Sequence, residues 1–111
     1  MFDMVRRAGD LLFVNGMVGR TPEGPVVEGG IRPQTRRCLE RIEEVLAGEG
    51  RDRSHIVRCR FFVTDMRQWP EAREEVDAFF GDHCPPSTAL GITALVEPGM
   101  LIEIEVEASA A

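Results

Sequence analysis

Residues 101–108, LIEIEVEA, alternate without a break. In an extended strand successive side chains leave opposite faces, so Ile102, Ile104 and Val106 take one side and Glu103, Glu105 and Glu107 the other. Successive glutamates then stand about 7 Å apart, at a rise of about 3.4 Å per residue. Like charges this close disfavour one another unless water or cations intervene. The acidic face therefore has two readings. One is a solvated or salt-bridged surface. The other sets one of the glutamates at a buried junction between subunits, where partial desolvation raises its pKa and lets it pass protons to a water.

Working outward, residues 55–66, HIVRCRFFVTDM, carry the same period: Val57, Cys59, Phe61 and Val63 alternate with Arg58, Arg60, Phe62 and Thr64. This is a strand with one face in the core, and Arg58 and Arg60 are placed to pair with the glutamates across neighbouring strands. Residues 88–95 predict a further strand, and Val96-Glu97-Pro98-Gly99 the turn into the last one. Ile31, Thr35, Cys38, Leu39, Ile42, Val45 and Leu46 repeat at helical spacing, with Gly48 and Gly50 as the stop. Arginines and glutamates fill that helix's other face, as a solvated surface with Arg–Glu pairs of a few tenths of a kcal/mol each. Trp69-Pro70 opens a second helix with Trp69, Ala72, Val76, Phe79 and Phe80 on one stripe and Gly81 at its end. Near the start, residues 11–14, LLFV, predict a buried strand closed by a turn at Asn15-Gly16, with Met4-Val5 as its hairpin partner across Ala8-Gly9-Asp10. The glycine- and proline-rich residues 20–30 predict a loop with a brief extended piece at Val26-Val27.

The order is therefore ββαβαββ, a two-layer α+β domain with both helices on one sheet face. The opposite face carries Arg58, Arg60, Phe62 and three glutamates. That mixture is too apolar for free solvent and too charged for a monomer's core, which points to an oligomer that covers it.

Composition narrows the chemistry. The 111 residues are expected to form one domain, spanning 1–111. No apolar run approaches the ~20 residues that span a bilayer. The opening MFDMVRRAGD does not read as a signal peptide, and a cytoplasmic location is expected. The net charge of -6 disfavours nucleic acid, whose phosphates need a basic surface. All 13 Lys+Arg cations are arginines, so no lysine is present for Schiff-base chemistry, and no tyrosine supplies a phenol. Cys38, Cys59 and Cys84 are widely spaced, read as reduced thiols with at least two buried, and form no metal-binding pattern. Adjacent His83 and Cys84 are poorly placed to act as a nucleophile pair.

Residues 81–108, GDHCPPSTALGITALVEPGMLIEIEVEA, resemble the C-terminal signature of the Rid (YjgF-type) family, the reactive intermediate imine deaminases. That signature is a histidine-bearing turn, a Pro-Ala-Arg-Ser/Thr step, a strand, a Pro-Gly-type turn and an (I/V)EIE strand. Phe13-Val14-Asn15-Gly16, Gln34-Thr35, the stretch from Val57 to Met66, and Phe79-Phe80 resemble further family positions, in order along the whole chain. The resemblance implies a chorismate-mutase-like fold and a homotrimer with a central barrel. It also implies small-molecule clefts between subunits and no metal or organic cofactor. In the family each cleft holds a small acid bearing an imine or enamine; an arginine pins its carboxylate, a Ser-Gly turn gives backbone donors, and a glutamate directs water.

Carried onto this sequence, the glutamate is Glu103, the turn is Asn15-Gly16, and an N-terminal aromatic wall is Phe2. The Pro-Ala-Arg-Ser/Thr step is Pro85-Pro86-Ser87-Thr88, so Ser87 stands where the family has arginine. A guanidinium grips a carboxylate through two charge-assisted hydrogen bonds worth roughly 1.5–3 kcal/mol each, against about 1 for a neutral hydroxyl. The exchange weakens binding of a 2-imino acid by about 100-fold or more. Arg73, on the second helix, is a position from which a relocated guanidinium enters the cleft; pairing with Glu74 or another exposed acid of the helix is the alternative. Without such a rescue the cleft, lined by Ser87, Thr88, Asn15 and Glu103, suits an uncharged or cationic ligand. The expected function is a cofactor-independent hydrolase of deaminase type on an imine, enamine or related C–N substrate other than a standard 2-imino acid. The competing expectation is a non-catalytic metabolite-binding or accessory trimer. The ribonuclease label borne by some relatives fits poorly with an acidic, lysine-free chain.

Overall fold

The last strand sits in the middle of the sheet. In this computed structural model, which describes residues 1–111, the chain forms β1 (Val5–Ala8), β2 (Leu11–Val18), α1 (Ile31–Gly48), β3 (Ile56–Val63), α2 (Trp69–Phe80), β4 (Ser87–Gly91) and β5 (Ile102–Ser109). One five-stranded sheet results, in the spatial order β1-β2-β5-β3-β4. β3 and β4 run parallel; the other pairs are antiparallel. Both helices pack on one face, in a two-layer α+β arrangement with the core between. No helix is long and apolar enough to cross a membrane.

The alternation of β5 explains its central place. Ile102, Ile104, Val106 and Ala108 are at most 2% exposed on the helix side, while Glu103, Glu105 and Glu107 are half-buried on the other. β4, with the small sequence STALG, takes the edge, where little apolar surface has to be covered. Accordingly β4 and β5 are not joined as a tight hairpin. The expected strand over 88–95 ends at Gly91, and the chain crosses through a loop to insert β5 between β2 and β3.

Three local expectations are corrected by the ladders and burial. β2 does not close at Asn15-Gly16 but runs on to Val18, with a bulge between Val14 and Met17. Pairing with β5 overrides the turn preference of that dipeptide. β2 is also buried on one side only: Leu12 and Val14 lie in the core, while Leu11 and Phe13 are exposed. In β3 the register slips between Ile56 and Arg58, which sends Val57 outward and leaves Ile56, Cys59, Phe61 and Val63 inside. Cys38 and Cys59 are buried, Cys84 is exposed, and all three are free thiols.

The charged face of α1 does more than meet solvent. Arg32 reaches Glu71, Glu74 and Glu75 of α2 at 3.4, 3.0 and 3.3 Å, and Arg36 reaches Glu75 at 2.6 Å. These pairs lock the two helices side by side. Arg37 and Arg41 donate to the carbonyls of Arg20 and Val18 at 2.7 and 2.8 Å, fastening the end of β2 to α1. Gln34, 3% exposed, binds the approach to β5: its Nε2 donates to Gly99 O and its Oε1 accepts from Leu101 N, both at 2.8 Å. Gln34→Ala leaves that carbonyl and that N–H without their partner. With about 1–3 kcal/mol for each unsatisfied group, urea unfolding should show a loss of roughly 2–4 kcal/mol.

Candidate functional site

On the outer face of the sheet, Arg60 projects between the glutamates of β5. Its Nη1 lies 2.9 Å from Glu107 and 3.4 Å from Glu105. Arg58 turns the other way and donates to Thr88 Oγ1 at 3.2 Å. One guanidinium thus offsets part of the charge of Glu105 and Glu107. Glu103, opposite Val18 on β2 and Phe62 on β3, has no ion pair or hydrogen bond of its own. Burial, and secondarily the nearby Glu105 carboxylate, push its pKa above the ordinary glutamate value.

The bulge in β2 brings Gly16 to this carboxylate, with Asn15 next to it in the strand. A Cβ built on Gly16 would lie 2.6 Å from Glu103 Oε2, so any larger residue here would have to push the tip of the Glu103 side chain aside. Asn15's own N–H is engaged by Met4 O at 2.8 Å. A hollow of about 360 Å³ beside them is lined by Asn15, Gly16, Phe13, Arg6, Asp3 and Arg60 among others, with Glu105 and Glu107 at its far side. Gly16 is the residue that both touches Glu103 and lines this hollow.

Ser87 belongs to the other side of the sheet. It pairs in register with buried Cys59, and Ala89 with Phe61, so both face the helix layer, whereas Thr88, opposite Arg60, faces outward with Glu103. Ser87 Oγ donates to Pro85 O at 2.8 Å, which occupies its one proton. The Cys84 sulfur lies 3.9 Å from that oxygen. Ser87, Cys84 and Pro85 share a second cavity, also about 360 Å³, with Phe61, Trp69, Val76, Ala89 and Arg73. Arg73 also meets an exposed acid of its own helix, through Nε to Asp77 Oδ1 at 3.0 Å. Phe2 is 83% exposed, ahead of β1. One protomer therefore holds two groups of the predicted residues, Glu103 with Asn15 and Gly16 on the outer face and Ser87 with Arg73 at the β4 edge.

The apolar walls of the second grouping were not visible in the sequence, which singled out only Ser87 and Arg73. Trp69 and Phe61, with ring centroids 5.1 Å apart, form its aromatic wall, and the β3–β4 register sets Ser87 and Ala89 beside it. No three His, Cys, Asp or Glu side chains converge in a way that would hold a metal ion.

Comparison with known proteins adds independent information. Residues 2–110 match the family profile described as Endoribonuclease L-PSP. A RutC family protein of Pyrococcus horikoshii is 31% identical over 100 residues, covering 89% of this chain and 79% of that protein. The 2-iminobutanoate/2-iminopropanoate deaminase of Rattus norvegicus is 28% identical over 95 residues, 85% of this chain and 69% of the enzyme. Among solved structures, a Mycobacterium tuberculosis member of the YjgF/YER057c/UK114 family is 35% identical, with a TM-score of 0.87 over 97% of this chain and 86% of that one.

Proposed function

Because the chain belongs to the Endoribonuclease L-PSP family, the YjgF/Rid family, we propose that it is a cofactor-independent hydrolase of deaminase type, acting on an imine or enamine that is not a standard 2-imino acid. Glu103 carries the reading: it is the one β5 glutamate without an ion pair, half-buried, with a raised pKa, its carboxylate against Gly16 of the β2 bulge. As a carboxylate it takes a proton from water while the water oxygen bonds to the C=N carbon. The Glu103 carboxyl returns that proton to the nitrogen, giving the carbinolamine; transfer of the hydroxyl proton to the nitrogen, through the same carboxylate, then breaks the C–N bond, and ammonia leaves a carbonyl product.

The two residue groups face opposite sides of one sheet, so a cleft using both needs a second copy. A homotrimer with a central barrel supplies it, with each cleft between subunits. The outer face supports this: Phe13, Val57 and Leu90 are 44%, 43% and 42% exposed beside half-buried Phe62 and the Arg60 pairs. The ligand is a small molecule. Neither nucleic acid nor a membrane is a partner, and the cytoplasm is the place of action.

Ser87 sets the substrate limit, since its proton is held by Pro85 O and the one guanidinium lining its cavity, that of Arg73, is paired with Asp77. In an oxidase-coupled assay, 2-iminopropanoate and 2-iminobutanoate should be hydrolysed about 100-fold less efficiently than by an arginine-bearing relative. Comparable turnover overturns the substrate limit. Other imines, with larger side chains or without a carboxylate, should be hydrolysed faster than in buffer alone. No acceleration across that panel, with ligand binding retained, gives instead the second reading, a non-catalytic metabolite-binding or accessory trimer, which the missing guanidinium favours.

A further inference from the structure

We propose that Cys84 and Cys59 form a reversible disulfide, a bridge made in response to peroxide that pins residues 81–86 across the Ser87 end of the cavity between α2 and β4. Neither thiol takes part in the reaction proposed above. Both lie beside one hydroxyl. Cys59 pairs in register with Ser87 on the parallel neighbouring strand, and both side chains face the helix layer. Adjacent strands stand about 4.8 Å apart. Cys84 precedes Ser87 by three residues, and its sulfur lies 3.9 Å from the same Ser87 oxygen. The two thiols therefore flank Ser87 Oγ, one from the neighbouring strand and one from the turn that leads into β4.

The bridge needs the Cys84 sulfur to cross that hydroxyl, and little holds it back. Residues 82–85 make no backbone–backbone hydrogen bond. The next anchor is Pro86 O, which accepts from Cys59 N at 3.1 Å and keeps the start of β4 against Cys59 while the turn before it shifts. Exposure divides the roles. Cys84 is exposed and meets the oxidant first. Burial pushes the Cys59 thiol up to about 12, which keeps it inert until an electrophilic sulfur arrives beside it. The Cys84 thiolate attacks hydrogen peroxide, the O–O bond breaks, and the sulfur becomes a sulfenic acid while the released hydroxide takes up a proton as water. The Cys59 sulfur then bonds to the Cys84 sulfur, the S–O bond breaks, and the departing hydroxide carries off the Cys59 proton as a second water. Thiol reductants reverse the bridge by exchange. In a reducing compartment such a disulfide is transient and senses oxidant. It needs no imine turnover, so it stands or falls apart from the hydrolase.

Mass spectrometry of the whole chain after stoichiometric hydrogen peroxide tests it. The parent protein should lose about 2 Da, recovered with dithiothreitol, and peptide mapping should join Cys59 to Cys84 within one chain. Cys59→Ala should instead gain about 16 or 32 Da at Cys84, as sulfenic or sulfinic acid, because no second thiol resolves it. Cys84→Ser should show neither change. Trp69, the single tryptophan, lines the cavity. Its quenching by acrylamide should fall when the parent is oxidised and stay constant in Cys84→Ser. Oxygen added to Cys84 in the parent, a bridge to Cys38 or between protomers, no reaction at all, or unchanged Trp69 quenching in the bridged protein overturns the proposal.

Discussion

Replacing Glu103 by Gln should lower imine turnover by about 10²–10⁴-fold, the usual worth of a positioned general base, while leaving the melting temperature at pH 7 no lower than that of the parent protein. The amide keeps the size of the side chain and its seat against Gly16, so packing is unchanged. It removes a charge that burial and Glu105 both oppose. The sign of the pH effect follows. A carboxyl whose pKa is raised on folding takes up its proton more readily in the folded state, so it works against folding above that pKa and ceases to as pH falls through it. The stability gap between Glu103→Gln and the parent should therefore be largest near neutrality and close in mild acid. Activity of the parent should decline over that same acid range, because the protonated carboxyl cannot accept a proton from water. Glu75, held below the usual range by Arg36 and Arg32, behaves oppositely and loses its contribution as pH falls. A melting temperature that drops in Glu103→Gln, with turnover intact, would show a structural residue.

The second large effect is on stability. Phe61 is 1% exposed, lies in the middle of β3, and packs against Trp69 with ring centroids 5.1 Å apart. Phe61→Ala removes the largest fully buried side chain and leaves a void that the sheet cannot readily close, since Ile104 beside it is held by ladders on both sides and Ala89 by the β3–β4 ladder. Core truncations of this kind cost about 3–5 kcal/mol, which for a domain near this size lowers the melting temperature by roughly 10–30 °C. Measured at one protein concentration, calorimetry gives the answer; a drop of only a few degrees would mean that this region is loosely packed.

Much of this was legible in the chain. Alternation in residues 101–108 assigns every β5 side chain to a face because a strand has a period of two, whatever its neighbours. The same logic placed Arg60 among the glutamates, and helical spacing placed Ile31, Cys38, Ile42 and Leu46 in the core. The signature motifs sufficed to indicate the family. What they could not supply was pairing. Periodicity says which way a side chain points, not which strand lies beside it, so the parallel β3–β4 pair and the insertion of β5 between β2 and β3 had no local signal. Asn15-Gly16 has the chemistry of a turn, and only the ladder with β5 converts it into a bulge against Glu103. Ser87 and Thr88 face opposite sides of the sheet because of where β4 begins, and a shift of one residue would exchange them. The residue types, and hence the available chemistry, were set by the sequence alone; which of them share a cavity was decided by long-range strand contacts, whose energy comes from burial across the whole sheet rather than from any short segment.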